Sequence, residues 1–188
     1  MLTHGAGSNC RSALLVALAA GFCDRGWMIL RCDLPFRQAR AQGPPAPGSG
    51  ERDQAGIRAA VEALRRETPS RVYLGGHSYG GRQASMLAAR EPGVAEALLL
   101  LSYPLHPPQR PEVMRTAHLP DLRTPALFVH GTRDGFGTIA EMEEAMSLIP
   151  ARKELLAFPD AGHELITGSN RRRLSAVIAE AFVSFVGE

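Results

Sequence analysis

The chain has 188 residues, of which 45% are hydrophobic and 21% are charged, and these proportions are typical of a folded globular domain. A chain of this length hides roughly 70% of its unfolded surface on folding, which supports one hydrophobic core and excludes a second full domain. The 21 basic and 19 acidic side chains are interleaved and give a net charge of +2, so nothing indicates a nucleic-acid or acidic-membrane partner.

The cysteine content indicates an intracellular protein. Cys10, Cys23 and Cys32 are odd in number, and their spacing matches neither a disulfide framework nor a metal site. We therefore expect a cytoplasmic location and no metal bound by these cysteines. The apolar stretch 13–22 is too short to span a bilayer and lacks the basic flank and cleavage pattern of a signal peptide.

Short apolar runs alternate with helical patterns along the chain, which is typical of a parallel sheet covered by helices on both faces. The pattern predicts one domain over residues 1–188, of fold class α/β, with a three-layer α/β/α sandwich around a six-stranded parallel sheet. The predicted strands are 1–3, 27–32, 71–74, 97–101, 126–130 and 154–158. The predicted helices are 12–25, 53–67, 80–90, 138–147 and 171–185.

Two long connections show neither pattern. Residues 33–52 contain a run rich in glycine and proline, which argues against a helix or a central strand there. Residues 102–124 are also rich in proline and follow the fourth predicted strand, so they could form a short lid or rim. In this segment Tyr103, Leu105 and His106 are candidate substrate contacts, and the alternative is a stiff connection that packs on the edge of the sheet.

The segment Gly76-His77-Ser78-Tyr79-Gly80 matches G-x-S-x-G, a turn that presents a serine hydroxyl at the carboxyl end of a sheet. Glycines flank the serine because side chains there would collide with the neighbouring strand and helix. The pattern alone is weak, but here a predicted strand precedes it and a predicted helix follows it. Ser78 is therefore the candidate nucleophile.

A serine hydroxyl needs a base to take its proton, and the base needs a carboxylate to orient it. In this architecture the order along the chain is Ser, Asp or Glu, then His, each in a loop after a strand. Asp134 follows the fifth predicted strand and His163 follows the sixth, so these two are the candidate partners of Ser78. Among the competing carboxylates, Asp160 more naturally shapes a turn, Asp121 precedes its strand at the wrong end, and Glu164 would need its loop to fold back.

Acyl transfer also needs two backbone N–H groups that point at the developing oxyanion. Tyr79, which follows the nucleophile, supplies one, and the loop after the first strand supplies the other. In that loop Ala6 is the first candidate and Gly7 the second, with Gly7 also a candidate substrate contact. If the first and third strands lie side by side, the strand order is 2-1-3-4-5-6 and a ligand binds between them, where the winding reverses.

At these residues the sequence resembles the α/β-hydrolase superfamily, and more narrowly a dienelactone-hydrolase-like branch that includes the KANL3/Tex30 group. The resemblance lies in the segments HGAG at 4–7, GGHSYGGR at 75–82, YPLHPP at 103–108, RTAHLP at 115–120 and GTRDGFG at 131–137. The resemblance implies a sheet with the nucleophile on a sharp turn, and neither a metal nor an organic cofactor. The superfamily usually has two further strands before the one at 1–3, and the branch often has Lys in place of His77.

These observations predict a serine hydrolase that cleaves an ester or similar acyl bond of a small molecule through an acyl-enzyme. Ser78 attacks, His163 transfers the proton, Asp134 orients His163, and the amides of Ala6 and Tyr79 hold the oxyanion. The alternative is a hydrolase-fold interaction module without significant catalysis. Because strand 27–32 would lie at an exposed edge, we expect a homodimer partner, a loop or upstream sequence to cover it.

Overall fold

The computed structural model describes residues 1–167 and 170–187, apart from the side chains of residues 171 and 172. The strands are β1 (Leu2–Thr3), β2 (Leu74–His77), β3 (Leu98–Leu101), β4 (Ala126–Gly131) and β5 (Lys153–Phe158). The helices are α1 (Ala13–Cys23), α2 (Pro35–Ala39), α3 (Ser49–Glu67), α4 (Tyr79–Arg90), α5 (Ile139–Ser147) and α6 (Arg171–Gly187), with a 3-10 turn at Leu119–Asp121. None of the described helices is long and apolar enough to cross a membrane.

The five strands form one parallel sheet in the order β1-β2-β3-β4-β5. Because every strand runs the same way, all carboxyl ends lie at one edge, and the loops that follow them are neighbours. The expected adjacency of the first strand and the strand that precedes Ser78 is confirmed, since Leu2 pairs with Gly75 and Thr3 with Gly76. The loop after β1 therefore lies beside the turn after β2.

The predicted count of six strands is wrong, because residues 27–32 do not form a strand. They lie beside β1 as expected, but they pair through a single bridge between Leu2 and Arg31, with one hydrogen bond from the Leu2 N–H to the Leu30 carbonyl at 2.8 Å. The physical reason is the shortness of β1, whose two residues offer too few ladder positions. The segment is anchored by its side chains instead, with the Trp27 ring 5.0 Å from Tyr73.

The alternation of β3 divides the apolar residues into two layers, as expected for a sheet buried on both faces. Leu98 and Leu100 point to the layer that contains α3, α4 and α5, whereas Leu99 and Leu101 point to the layer that contains α1 and α6. All four leucines are at most 1% exposed. This confirms the three-layer α/β/α arrangement.

The structure also differs from the prediction in the connection 33–52 and in the bounds of the strand before Ser78. Within that connection, Pro35 begins a short helix, since a proline in the first turn has no N–H to leave unpaired. The next helix begins at Ser49 rather than at residue 53. β2 begins at Leu74, later than predicted, and its ladder continues through the glycines of the motif to His77, which pairs with Leu101. β2 therefore ends at the residue immediately before Ser78.

Candidate active site

Ser78 lies on a sharp turn between the last residue of β2 and the first residue of α4. Its backbone has φ 50° and ψ −116°, a conformation that residues other than glycine rarely adopt. Tight packing on both sides explains the flanking glycines. A Cβ on Gly76 would overlap Thr3, and a Cβ on Gly80 would lie 2.6 Å from the carbonyl oxygen of His4. The turn therefore presents the Ser78 hydroxyl at the carboxyl edge of the sheet.

The structure brings Ser78, His163 and Asp134 into hydrogen-bond contact. Ser78 Oγ is 2.8 Å from His163 Nε2, and His163 Nδ1 is 2.8 Å from Asp134 Oδ2 and 3.0 Å from Oδ1. With the proton of His163 on Nδ1, that nitrogen donates to the carboxylate and Nε2 is free to accept from Ser78. This is the geometry of a nucleophile, a base and an orienting acid.

Asp134 is held in its orientation by the turn that follows β4. Its side chain is fully buried, and Oδ1 also accepts the N–H of Phe136 at 2.9 Å. Burial by itself would raise the pKa of Asp134, but the hydrogen bond and charge of His163 outweigh burial and hold the pKa below its ordinary value. The ring of Phe136 stacks on His163 with centroids 4.1 Å apart. The acid is therefore ionised, and the imidazole is held on two sides.

In the described residues, none of the competing carboxylates has a hydrogen bond to the His163 ring. Asp160 is exposed and pairs with Arg133 at 2.5 Å, which suits a role in shaping its turn. Asp121 belongs to the 3-10 turn before β4, at the opposite end of the strand from Asp134. Glu164 lines the same cleft as Ser78. Asp134 is the carboxylate that contacts the Nδ1 of His163.

The loop after β1 carries the second candidate oxyanion group and is anchored by Arg37, a residue that the sequence patterns did not single out. The Arg37 side chain is 6% exposed, and its guanidinium donates to the carbonyls of Ala6 and Ser8, both at 2.8 Å, and of Gly43 at 2.9 Å. The carbonyl of Ala6 thus points at Arg37. Within residues 1–167 and 170–187, the N–H groups of Ala6 and Tyr79 have no hydrogen-bond partner.

His77 connects the turn at Ser78 to the loop of His163. It is 5% exposed, and its Nε2 lies 2.9 Å from the main-chain oxygen of His163. Burial lowers the pKa of His77, so its ring is neutral near pH 7 and Nε2–H donates this bond. On its other side the ring approaches the loop after β1, where a Cβ on Gly5 would lie 3.1 Å from His77 Nδ1.

A cleft of about 620 Å³ opens over Ser78. Its lining includes Ala6, Gly7, Tyr79, Pro104, Phe136 and His163, together with Arg82 and Arg115. A separate cavity of about 470 Å³ lies at the β1 edge of the sheet, between the aromatic rings of Trp27, Tyr73 and Phe182. Ser78 lines the first of these two cavities and does not line the second.

Tyr103, Leu105 and His106, the candidate substrate contacts, lie beneath the rim of the cleft and are at most 6% exposed. The Tyr103 hydroxyl donates to the carbonyl of Arg115 at 2.8 Å, and Leu105 accepts the Arg115 N–H at 2.7 Å. Segment 102–124 thus packs these side chains inward, and its residues that line the cleft are Pro104 and Arg115. Arg115 could have been noticed as a basic residue in a proline-rich rim, and Arg82 as the last residue of the GGHSYGGR segment.

No cluster of three or more His, Cys, Asp or Glu side chains that could hold a metal ion occurs among the described residues.

A parallel sheet with a sharp serine turn between a strand and a helix, followed by Asp and His loops, defines an α/β hydrolase fold. A family model described as an alpha/beta hydrolase domain matches residues 1–185. The chain therefore belongs to the alpha/beta hydrolase domain family.

Solved structures of esterases and other hydrolases have the same fold. Est1E from Butyrivibrio proteoclasticus, with ferulic acid bound, has a TM-score of 0.79 at 16% identity, over 100% of this chain and 88% of its own. Dienelactone hydrolase from Anabaena variabilis has a TM-score of 0.76 at 23% identity, over 97% of this chain and 84% of its own. A monoacylglycerol lipase from Paleococcus ferrophilus has a TM-score of 0.76 at 16% identity, over 98% and 93%.

Proposed function

We propose that the protein is a serine hydrolase that cleaves an ester or similar acyl bond of a small molecule through an acyl-enzyme. The observation that carries the proposal is the 2.8 Å contact between Ser78 Oγ and His163 Nε2 at the base of an open cleft. Membership of the alpha/beta hydrolase family and the esterase, lipase and dienelactone hydrolase neighbours support a hydrolase in general.

In the first half of the reaction, Ser78 Oγ bonds to the acyl carbon while its proton moves to His163 Nε2. The negative charge on the acyl oxygen is accepted by the N–H groups of Ala6 and Tyr79, and the positive end of α4 adds to this stabilisation. When the intermediate collapses, the bond to the leaving oxygen breaks, and His163 gives that oxygen its proton. Asp134 stabilises the imidazolium throughout these steps.

In the second half, water attacks the acyl carbon and gives a proton to His163. The bond to Ser78 then breaks, and its oxygen recovers the proton from His163. The products are a carboxylic acid and an alcohol, so atoms and charges balance without a cofactor. Tyr103 and Leu105 act indirectly in this scheme, because they bond to the backbone of Arg115 in the cleft lining. His106 also acts indirectly, because its backbone N–H donates to the carbonyl of Phe136, which lines the cleft.

Replacing Ser78 by alanine tests the proposal. The variant should lose about 10⁴-fold or more in the kcat of p-nitrophenyl acetate hydrolysis, and it should no longer be labelled by a fluorophosphonate. The exposed Ser147 offers a matched control, since Ser147→Ala should react and be labelled like the wild type. A wild-type protein that neither hydrolyses the ester nor reacts with the probe would refute the proposal.

The second candidate is an interaction module built on the hydrolase fold, without significant catalysis. It would be favoured if Ser78 and His163 lay beyond hydrogen-bond reach or if no cleft opened above Ser78. The 2.8 Å contact and the cleft of about 620 Å³ favour the enzyme instead. We also propose, on the sequence segments that carry the resemblance, that the protein belongs to the dienelactone-hydrolase-like branch and its KANL3/Tex30 group.

A cytoplasmic location is part of the same proposal. Cys10, Cys23 and Cys32 are all free thiols, as expected in a reducing compartment. Fractionation of the native protein with cytoplasmic markers is the expected result, and recovery from an oxidising compartment would contradict it.

A further inference from the structure

Two arginine side chains, Arg82 and Arg115, line the cleft that opens over Ser78. Arg82 lies in the first turn of α4, where its backbone N–H donates to the Ser78 carbonyl at 3.0 Å. Arg115 lies in the connection between β3 and β4. Both guanidinium groups belong to the lining of this one cleft. Burial lowers the pKa of the Arg115 guanidinium, and the positive charge of Arg82 lowers it further.

Neither arginine is neutralised by a carboxylate. The arginine–carboxylate pairs within 4.0 Å that the structure shows in residues 1–167 and 170–187 involve Arg58, Arg110, Arg133 and Arg152. The acidic residue among those that line the cleft is Glu164, and no oxygen of its carboxylate lies within 4.0 Å of Arg82 or Arg115 in the described structure. In addition, Arg82 Nε is buried and has no hydrogen-bond partner there.

The buried phenol of Tyr103 does not supply a negative charge that would neutralise the two arginines. Burial raises the pKa of Tyr103 to about 12, so its hydroxyl stays neutral at physiological pH. The hydroxyl donates to the main chain of Arg115, and the Arg115 N–H donates to Leu105. Because Tyr103 and Leu105 are at most 1% exposed, the backbone of Arg115 is held by hydrogen bonds to two buried residues. Such support reduces the entropy that would be lost when the side chain binds a ligand.

We propose that Arg82 and Arg115 form an anion-binding subsite in the cleft, which selects substrates that carry a carboxylate or phosphate group beside the acyl bond. Guanidinium groups stay charged and present several donors in a plane, which suits the oxygens of either group. An anion bound in the cleft that both arginines line would relieve their mutual repulsion. This inference rests on the proposed function, because it names the substrate class of the same cleft.

A matched pair of esters tests the subsite. Mono-p-nitrophenyl adipate carries a free carboxylate, whereas methyl p-nitrophenyl adipate has the same acyl chain without the charge. The wild type should prefer the charged ester by about tenfold or more in kcat/KM, since one good charged contact contributes about that factor. The preference should shrink in 0.5 M salt, because a partly exposed charge is screened.

Substitutions test whether the two arginines cause the preference for the charged ester. Arg115→Met should remove most of it, Arg115→Lys should retain part of it, and Arg82→Lys should lower it with less risk to folding than removal of the charge. Arg110→Met is the matched control, because Arg110 lies in the same connection but is exposed and outside the cleft lining. An equal effect of Arg110→Met and Arg115→Met on the preference would overturn the assignment.

The outcomes separate this inference from the proposed function. If wild-type protein cleaves both esters equally, in a reaction that Ser78→Ala abolishes, the hydrolase stands and the anion subsite is refuted. If it cleaves neither ester, calorimetric binding of adipate and of phenyl phosphate tests the subsite alone. Binding that Arg115→Met weakens would support it, with the tighter ligand identifying the anion, and no binding of either would refute it.

Discussion

Replacing His77 by phenylalanine should impair the reaction by loosening the loop that carries His163. Phenylalanine keeps an aromatic ring of similar size but removes the donor that now lies 2.9 Å from the main-chain oxygen of His163. The same ring separates that loop from the loop after β1, near Gly5. His77 does not contact the reacting atoms in our scheme, so it acts as a positioning residue for the base.

The size of the effect follows from the hydrogen bond that is lost. Leaving a partly buried carbonyl without its donor costs about 1–3 kcal/mol. If all of this cost is expressed in the transition state, kcat/KM falls by about 5-fold to about 150-fold. Glutamine at position 77 can place an amide N–H near the present Nε2, so His77→Gln should recover most of the loss.

Ester kinetics and thermal unfolding of the wild type and both variants measure this effect. We expect kcat to fall in the phenylalanine variant while KM stays nearly constant, because a ring of similar size keeps the shape of the cleft wall that His77 lines. A purely structural role for His77 would instead lower the melting temperature and the amount of active protein, without a change in kcat per active site. Full activity of His77→Phe, or equal loss in His77→Gln, would refute the positioning role.

Three further changes have distinct expected results. Arg37→Met leaves the carbonyl of Ala6 unpaired, so kcat should fall at least about tenfold in ester hydrolysis, and an unchanged kcat would count against an oxyanion role for this loop. Burial lowers the pKa of His118 to about 4, so between pH 6.5 and pH 4 the unfolded chain binds a proton that the folded protein does not, and the free energy of unfolding should fall as the pH drops through this range. In urea unfolding, His118→Gln should lose less stability than the wild type over the same range, and an equal loss in both proteins would contradict this. Thr138→Ala removes the capping box with Glu141 at the start of α5 and should cost about 1 kcal/mol in urea unfolding with no change in kcat; an unchanged unfolding midpoint would be the contrary result.

Local patterns in the sequence determined most of the architecture. Apolar runs between helical patterns predict the strands, and in β3 the alternate leucines do face opposite layers. The order of Ser78, Asp134 and His163, each after a predicted strand, was enough to name the three residues that the structure brings into contact. These features were predictable because they depend on short segments and on the rule that parallel strands end at one edge.

Other features depend on contacts between distant segments, and only the tertiary structure decided them. Residues 27–32 read as a strand, yet β1 is too short to pair with them along their length. Tyr103 reads as a rim contact, but its ring is buried and its hydroxyl supports Arg115. The anchoring of the Ala6 loop by Arg37, and the presence of Arg82 and Arg115 in the lining of one cleft, likewise join residues about 30 positions apart. Sequence patterns describe the periodicity of a segment, whereas the partner of a polar side chain is set by which segments the folded core brings together.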